Sequence, residues 1–389
     1  MSTEHGPDVV TPADLAQHTP QPPDTITDAM RRLRDKAASD NTRAAQLNDW
    51  DTYTRWCHST GHSPLPATPD QISWFVTEKS VEVRADGRYA YAPSTLSRWI
   101  STINKMHSLA GYPKPGQHES VRELLRGIRR DRATPPARRT PLLTDDIRTI
   151  LTHMRTDAAT AGWAERAAER RDAALLLMGL AGALRRSELT SLTVADVVPH
   201  RADGLYVTVR QSKTDRTARG RTVTLPHGHD PHTCPVCAYR RWREVLDTWD
   251  DGGRPAVAAL LEHGDEGPMQ HCCRGLAAGT TSTGTKPTGN RALFRPVHRT
   301  GSLGAGALSG QSVHSMIQRR ARRAGFSDEL VATLGGHSLR AGFVTQAVRG
   351  GATTQTIMTQ TGHADERMVA LYSRQHAGLV ANAVTRLGL

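Results

Sequence analysis

The sequence predicts a mainly α-helical protein with a small antiparallel β-sheet, split into an all-helical domain and a mixed α+β domain. Three observations carry that prediction. Apolar residues recur at spacings of three and four through four successive segments between Asn41 and Ile128, with no alternating pattern among them. A proline- and arginine-rich run, residues 131–141, then interrupts the periodicity. Beyond it, two segments, 205–210 and 221–225, alternate in the manner of strands.

The elements follow in chain order. Residues 1–38 are rich in Pro, Thr, Asp and Gln and poor in large apolar side chains, which predicts a disordered tail. They also lack the basic start and apolar core of a signal peptide. The helical domain, 39–130, opens with Leu47, Trp50, Tyr53, Trp56 and Cys57 on one face. Thr68-Pro69-Asp70-Gln71 predicts a second helix start, with Thr68 as cap, Pro69 in the first turn and Gln71 completing a capping box. Ile72, Phe75 and Val76 supply its apolar face. A third helix carries Leu96, Trp99, Ile100, Ile103 and Met106, and a fourth carries Val121, Leu124, Leu125 and Ile128.

The linker, 131–141, stops helices with its prolines, and its arginines either stay solvated or cross a DNA backbone. The second domain, 142–389, starts at the helix signal Thr144-Asp145-Asp146. Ala173 to Leu180 predicts an apolar helix, and the two alternating segments form a hairpin with a long polar tip. Helix returns from Val236 to Trp249. Residues 250–290, rich in Gly, Thr and charge, predict a partly mobile surface insertion. From Ser312 the pattern is helical to the end, with Leu379, Val380, Ala383, Val384 and Leu387 on one face of a last helix, 376–387.

Charge narrows the partner. The 389 residues carry a formal net charge of +12, with a pI near 9.9. Such a balance favours a polyanion, nucleic acid first, because phosphate neutralisation drives that binding. No run of eighteen apolar residues exists to span a membrane. Five cysteines, an odd number, argue against a disulfide framework and for a reducing, cytoplasmic compartment.

Three clusters far apart in sequence carry chemistry. Gly182-Ala-Leu-Arg185-Arg-Ser-Glu188-Leu follows an apolar helix. In Gly336-His337-Ser-Leu-Arg340-Ala-Gly342, His337 and Arg340 are three apart and share one helix face. Thr361-Gly362-His363 is followed, nine residues after the histidine, by Tyr372 in Val369-Ala-Leu-Tyr-Ser-Arg374. Singly, each has a structural account: an ion pair, a surface pair, a packed tyrosine. Their conjunction, in this order and in a basic chain, does not.

The set resembles the tyrosine recombinase, or phage integrase, family from about Asn41 to the C-terminus. It is closest in pattern to the family's Cre-like members, on Gly336-His-Ser-Leu-Arg-Ala-Gly342 and on Gly111-Tyr-Pro-Lys-Pro115, which resembles the end of their core-binding domain. His363 departs from the tryptophan of that branch. The resemblance implies a two-domain clamp on DNA. It assigns Arg185, Lys213, His337, Arg340, His363 and Tyr372 as the catalytic set, with Glu188 as a buttress. Tyr372 would attack and keep the 3′ phosphate, while Arg185 and Arg340 would hold the non-bridging oxygens, a task suited to guanidinium forks. His337 and His363 would hydrogen-bond the phosphate or handle the tyrosine proton. Lys213 would protonate the leaving 5′ hydroxyl, which the neighbouring Arg210, Arg216 and Arg219 cannot readily do.

The resemblance further implies no metal, ATP or other cofactor in the chemistry. The partner would be double-stranded DNA carrying inverted-repeat sites, bound by a homotetramer in which the last helix docks in trans; the location would be the cytoplasm, at a bacterial nucleoid. Other outcomes of the fold are a type IB topoisomerase, a telomere resolvase, or a DNA-binding factor without catalysis. Arg98 and Lys105 on the third helix, and Arg319 and Arg320 in a dense basic run, are candidate DNA contacts or solvated faces. Cys234-Pro-Val-Cys237 with Cys272 and Cys273 offers a structural zinc set as the alternative to no metal; His232 and His271 lie beside those cysteines.

Overall fold

Aromatic side chains at helical spacing build the first of two units, Met1–Pro136 and Ala137–Leu389. The computed structural model describes residues 28–29, 32–33, 40–132, 139–210, 220–262, 270–273, 290–363 and 365–370. Most of the 1–38 tail, residues 133–138 of the linker, Lys213, Tyr372 and the 376–387 helix therefore lie outside the described residues.

In the first unit, α1 (Asp40–Ser59), α2 (Pro69–Val81), α3 (Pro93–Leu109) and α4 (Glu119–Arg132) enclose one core. It holds Tyr53, Trp56, Ile72, Phe75, Leu96, Trp99, Ile103, Val121 and Ile128, at the expected positions. Leu47 departs from expectation, since it is 69% exposed. Thr68 caps α2 by accepting the Gln71 backbone N–H at 3.2 Å. Gln71 does not close a capping box. Its amide turns inward and donates to the Tyr53 hydroxyl at 2.9 Å and the Ser63 carbonyl at 2.8 Å, so a buried polar group is satisfied within the core. His107 does similar work: Nε2 accepts the Ala67 N–H at 2.9 Å, which leaves the ring proton on Nδ1 to meet the Ile103 carbonyl at 2.8 Å.

The second unit is helical around a small sheet. It opens with α5 (Thr144–Thr160), whose Asp146 carboxylate accepts the Leu143 N–H at 2.8 Å. The apolar stretch 173–178 makes α6 (Trp163–Ala181) a buried central helix. After α7 (Arg186–Ser191) come β1 (Val197–His200), β2 (Gly204–Val209) and β3 (Arg221–Leu225), antiparallel in that order. The register pairs Val197 with Val207 and Val209 with Arg221. Strand β1 escaped the sequence reading because it is four residues long, contains Pro199 and buries Val197 alone.

Helix α8 (Pro235–Leu260) packs on α6 and anchors through Trp242, whose indole N–H donates to the Leu293 carbonyl at 2.8 Å. Residues 251–260 are thus helical, not part of an irregular insertion. Gly253 breaks the helical dihedrals with φ 61°, and Pro255 falls just after that kink, where its missing N–H costs little. The chain finishes with α9 (Gly310–Arg323), α10 (Asp328–Thr333), α11 (Gly336–Arg349) and α12 (Thr354–Thr361). The predicted class, mainly α with a small antiparallel sheet, is the one observed.

Candidate active site

Four places in the second unit meet at the site: the α6–α7 turn, the start of β3, the start of α11 and the end of α12. The turn is strained. Ala183 adopts φ 46°, a left-handed conformation that costs a residue with a Cβ roughly 1–2 kcal/mol. Gly182 before it has no room for a side chain, since a Cβ would lie 2.9 Å from the Met178 carbonyl oxygen. The turn presents the Ala183 carbonyl to Arg340, whose Nη1 donates to it at 2.7 Å and to the Thr361 carbonyl at 2.7 Å. Arg340 is 1% exposed, so this cation is held within the protein by backbone dipoles.

Glycine lets α11 come close enough to deliver Arg340. A Cβ on Gly342 would sit 1.8 Å from the Leu142 carbonyl oxygen, and the Leu142 N–H donates to Ser338 O at 3.1 Å. The helix therefore rests on backbone at Leu142. His337, the second residue of α11, is exposed at the helix N-terminus, where the macrodipole favours an anion.

Arg185 and Arg221 share one carboxylate. Glu188 accepts from the Arg185 guanidinium at 2.6 Å, from the Arg185 backbone N–H at 3.0 Å and from Arg221 at 3.1 Å. Burial pushes the Glu188 carboxyl up, but the Arg185 N–H, the Arg185 guanidinium and Arg221 together outweigh it and hold it below the usual carboxylate range. Arg221 also donates to the Gln360 carbonyl at 2.7 Å, which ties β3 to the end of α12.

His363 lies among these cations. Burial first, then the charges of Arg340, Arg185, His337 and Arg221, lower its pKa from 6.5 to about 4. It is neutral at pH 7. The Thr361 hydroxyl spends its proton on the Ile357 carbonyl at 2.8 Å, so the 2.9 Å contact with His363 Nδ1 has the ring donating. Nε2 is then the unprotonated nitrogen, an acceptor.

The structure therefore gathers Arg185, Glu188, His337, Arg340 and His363. It adds Arg221, which sequence reasoning missed: an arginine opening a strand carries no local signal, and its partners lie far away in the chain. Two other expectations change, for Arg320 and for Cys272. Arg320 is not a DNA contact, because it is 2% exposed and bound to Asp172 at 2.9 Å and Glu165 at 2.6 Å. Arg319 remains half exposed, 3.6 Å from Asp172. Cys272 is exposed and stands outside the cysteine cluster, where His271 takes its place. In the first unit, Arg98 forks onto Asp49 with two 2.8 Å bonds, and Lys105 donates to Gln46 at 2.7 Å.

No family model matches the chain. The integrase/recombinase XerD homolog of Selenomonas ruminantium is 29% identical over 362 residues, covering 92% of this chain and 88% of that protein. Recombinase Cre of Escherichia phage P1 is 22% identical over 367 residues, covering 91% of each. Among solved structures, the Tn1549 transposon integrase in complex with transposon right-end DNA aligns with TM-score 0.52 at 14% identity, over 92% of this chain and 98% of that one. The XerH site-specific recombinase bound to difH substrate aligns with TM-score 0.50 at 14% identity, over 88% and 78%. No helix among the described residues is long and apolar enough to cross a membrane. Along nine-tenths of its length the chain is similar to these two recombinases, and it shares the fold of the solved Tn1549 integrase.

Proposed function

We propose that the chain is a site-specific DNA recombinase that cuts and rejoins strands through a 3′-phosphotyrosine bond formed by Tyr372. One observation carries this reading above the rest. Arg185, Arg221 and Arg340 converge near neutral His363; Glu188 is the counter-charge shared by the first two, and Arg340 donates to backbone carbonyls. Three guanidiniums beside His363, two of them sharing one carboxylate, suit a phosphodiester passing through a more highly charged transition state.

The chemistry follows from the groups. The Tyr372 phenol attacks phosphorus while the guanidiniums hold the non-bridging oxygens. The unprotonated Nε2 of His363 takes the phenol proton as the bond to phosphorus forms, and His337 donates to the phosphate at the start of α11. Lys213, between β2 and β3 in sequence, gives its proton to the departing 5′ oxygen. A 5′ hydroxyl from another strand then attacks the phosphotyrosine, returns its proton to Lys213 and releases Tyr372, which regains its own proton from His363. The ester keeps the energy of the broken link, so ATP has no step to drive, and the arginines supply the charge that a metal would bring.

The partner is double-stranded DNA with paired inverted-repeat sites. Residues 39–130 and 142–389 act as its core-binding and catalytic domains, linked by 131–141. Four copies assemble, each lending its 376–387 helix to a neighbour, and the work takes place at the nucleoid in the cytoplasm. Arg319, Arg98 and Lys105 retain enough exposure to meet phosphate.

The test is covalent trapping. Wild type and Tyr372→Phe are incubated with nicked DNA carrying the inverted repeat nearest the protein's own gene, without metal or ATP, and run on a denaturing gel. A protein–DNA adduct in wild type alone is the expected result. Sequence-specific binding without any adduct would overturn the catalytic reading in favour of a DNA-binding factor.

A further inference from the structure

We propose that Cys234, Cys237, His271 and Cys273 bind a structural zinc ion, away from the chemistry assigned to the arginine cluster. The four ligand atoms lie within 4.8 Å of one another. Their spacing is that of a coordination shell. Cys237 Sγ lies 3.5 Å from His271 Nδ1, and Cys273 Sγ lies 3.6 Å from it. The Cys273 sulfur is 3.8 Å from that of Cys234 and 3.4 Å from that of Cys237. A tetrahedron with Zn–S bonds of about 2.3 Å and a Zn–N bond of about 2.0 Å puts sulfurs about 3.8 Å apart and sulfur and nitrogen about 3.5 Å apart. A disulfide would need two of these sulfurs at about 2.05 Å.

The surroundings fit thiolates and a metal-bound imidazole. Cys234 caps α8 and Cys237 lies in its first turn, where the helix dipole favours negative charge. The Gly228 N–H donates to Cys234 Sγ at 3.2 Å, and a Cβ on Gly228 would lie 2.8 Å from Cys234 Cα, so glycine permits that approach. His271 Nε2 lies 3.1 Å from the His229 carbonyl. A proton placed there fixes the tautomer and bares Nδ1 toward the sulfurs, the usual outer-shell arrangement for a ligating histidine. His227 places Nδ1 3.1 Å from Cys273 Sγ and Nε2 3.3 Å from the Arg201 carbonyl. Cys272 is exposed and contacts the Cys237 carbonyl at 3.8 Å, outside the shell. His232 is engaged by Arg155 at 2.9 Å.

With four protein ligands and no open position, such a site is structural. It pins the start of α8 to the 270–273 segment, beside the chain leaving β3.

The full chain is purified under reducing conditions without added metal, and its zinc is measured by plasma mass spectrometry. About one zinc per chain is expected, as for a closed four-ligand site. Cys237→Ser and His271→Ala should lose nearly all of it, and Cys272→Ser should keep it. Cobalt added to chelator-stripped, reduced wild type should give intense tetrahedral d–d bands with thiolate charge transfer, and zinc should abolish them. That arm does not depend on any variant folding. Wild type that binds neither metal, a disulfide among the four positions in reduced protein, or loss of zinc in Cys272→Ser matching that in Cys237→Ser would each overturn the assignment.

Discussion

Two arginine clusters in the second unit use the same side chain to opposite ends. Around α6 and α9, Arg171, Arg320 and Arg323 meet Asp172, Glu165 and Asp157. Each guanidinium there has a carboxylate, and charge is cancelled. At the candidate active site, Arg185 and Arg221 share Glu188, while Arg221 and Arg340 also donate to the carbonyls of Gln360, Ala183 and Thr361. A carbonyl fixes a guanidinium without neutralising it. Under the proposed function the difference separates an arginine that holds the fold from one whose charge meets a phosphate, although both Arg320 and Arg340 are buried.

The sharpest way to break the comparison is at Arg340. Arg340→Lys keeps a charge but not the planar guanidinium that spans Ala183 and Thr361. We expect the rate of adduct formation to fall by about 10³-fold, roughly 4 kcal/mol of transition-state stabilisation, with DNA binding retained. A single-turnover cleavage assay beside a gel-shift titration measures both. An Arg340→Lys variant cleaving within about tenfold of wild type would remove Arg340 from the chemistry.

The opposite substitution belongs in the cancelled cluster. Arg320→Met leaves Asp172, which is fully buried, with a neutralising partner missing. Breaking a buried pair in this way costs about 3 kcal/mol, or about 6–10 °C in Tm for a unit of this size. Cleavage per folded molecule at low temperature should stay unchanged. A variant of undiminished Tm that fails to cleave would move Arg320 from the structural side to the catalytic side.

Glu188 mediates between the two modes. Glu188→Gln removes the carboxylate that Arg185 and Arg221 share while keeping an acceptor. Cleavage should drop about tenfold, near 1.4 kcal/mol, because two forks lose orientation but stay charged. A rate that rises instead would mean that Glu188 damps the site's charge rather than orienting it.

How much of this was legible in the sequence depends on how local each signal is. Arg185 with Glu188, and His337 with Arg340, are i, i+3 pairs, and their conjunction with Gly362-His363 and Tyr372, together with the family resemblance, brings them forward. Arg221 and Arg320 could not be read. Arg319, Arg320, Arg322 and Arg323 look alike in sequence, and only the fold sets Arg320 against Asp172 from α6. The helices of the first unit were legible because tryptophans and isoleucines recur every third or fourth residue. The 251–260 helix was hidden because Gly252, Gly253 and Pro255 read as breakers, whereas one kink at Gly253 absorbs them. His271 and Cys272 are adjacent, and sequence spacing does not separate them, since neighbouring residues differ in direction and not in spacing.

The pH response divides the clusters by window. His363 is held at about 4 against an ordinary 6.5, so protonation favours the unfolded chain. Its contribution to stability is complete above pH 6.5 and is lost as pH falls toward 4. Asp172 and Glu188 are held below the carboxylate range. Their contributions are complete above the ordinary carboxylate values and are lost at lower pH, as it falls through their folded values. Urea midpoints for wild type and His363→Gln should therefore diverge from one another between about pH 7 and about pH 4.5. Parallel curves over that interval would mean that His363 is not kept neutral by its neighbours.

The smallest effect falls on Arg319, which stands between the two categories. Its side chain is 53% exposed and 3.6 Å from the buried Asp172, beyond hydrogen-bond distance. Arg319→Ala should leave Tm nearly unchanged, because Arg171 and Arg320 already neutralise Asp172. If Arg319 meets a DNA phosphate, the variant releases one fewer counterion, and the slope of log K against log salt becomes shallower by about 0.9. An unchanged slope together with a lowered Tm would place Arg319 with Arg320, as an arginine whose charge is already spent.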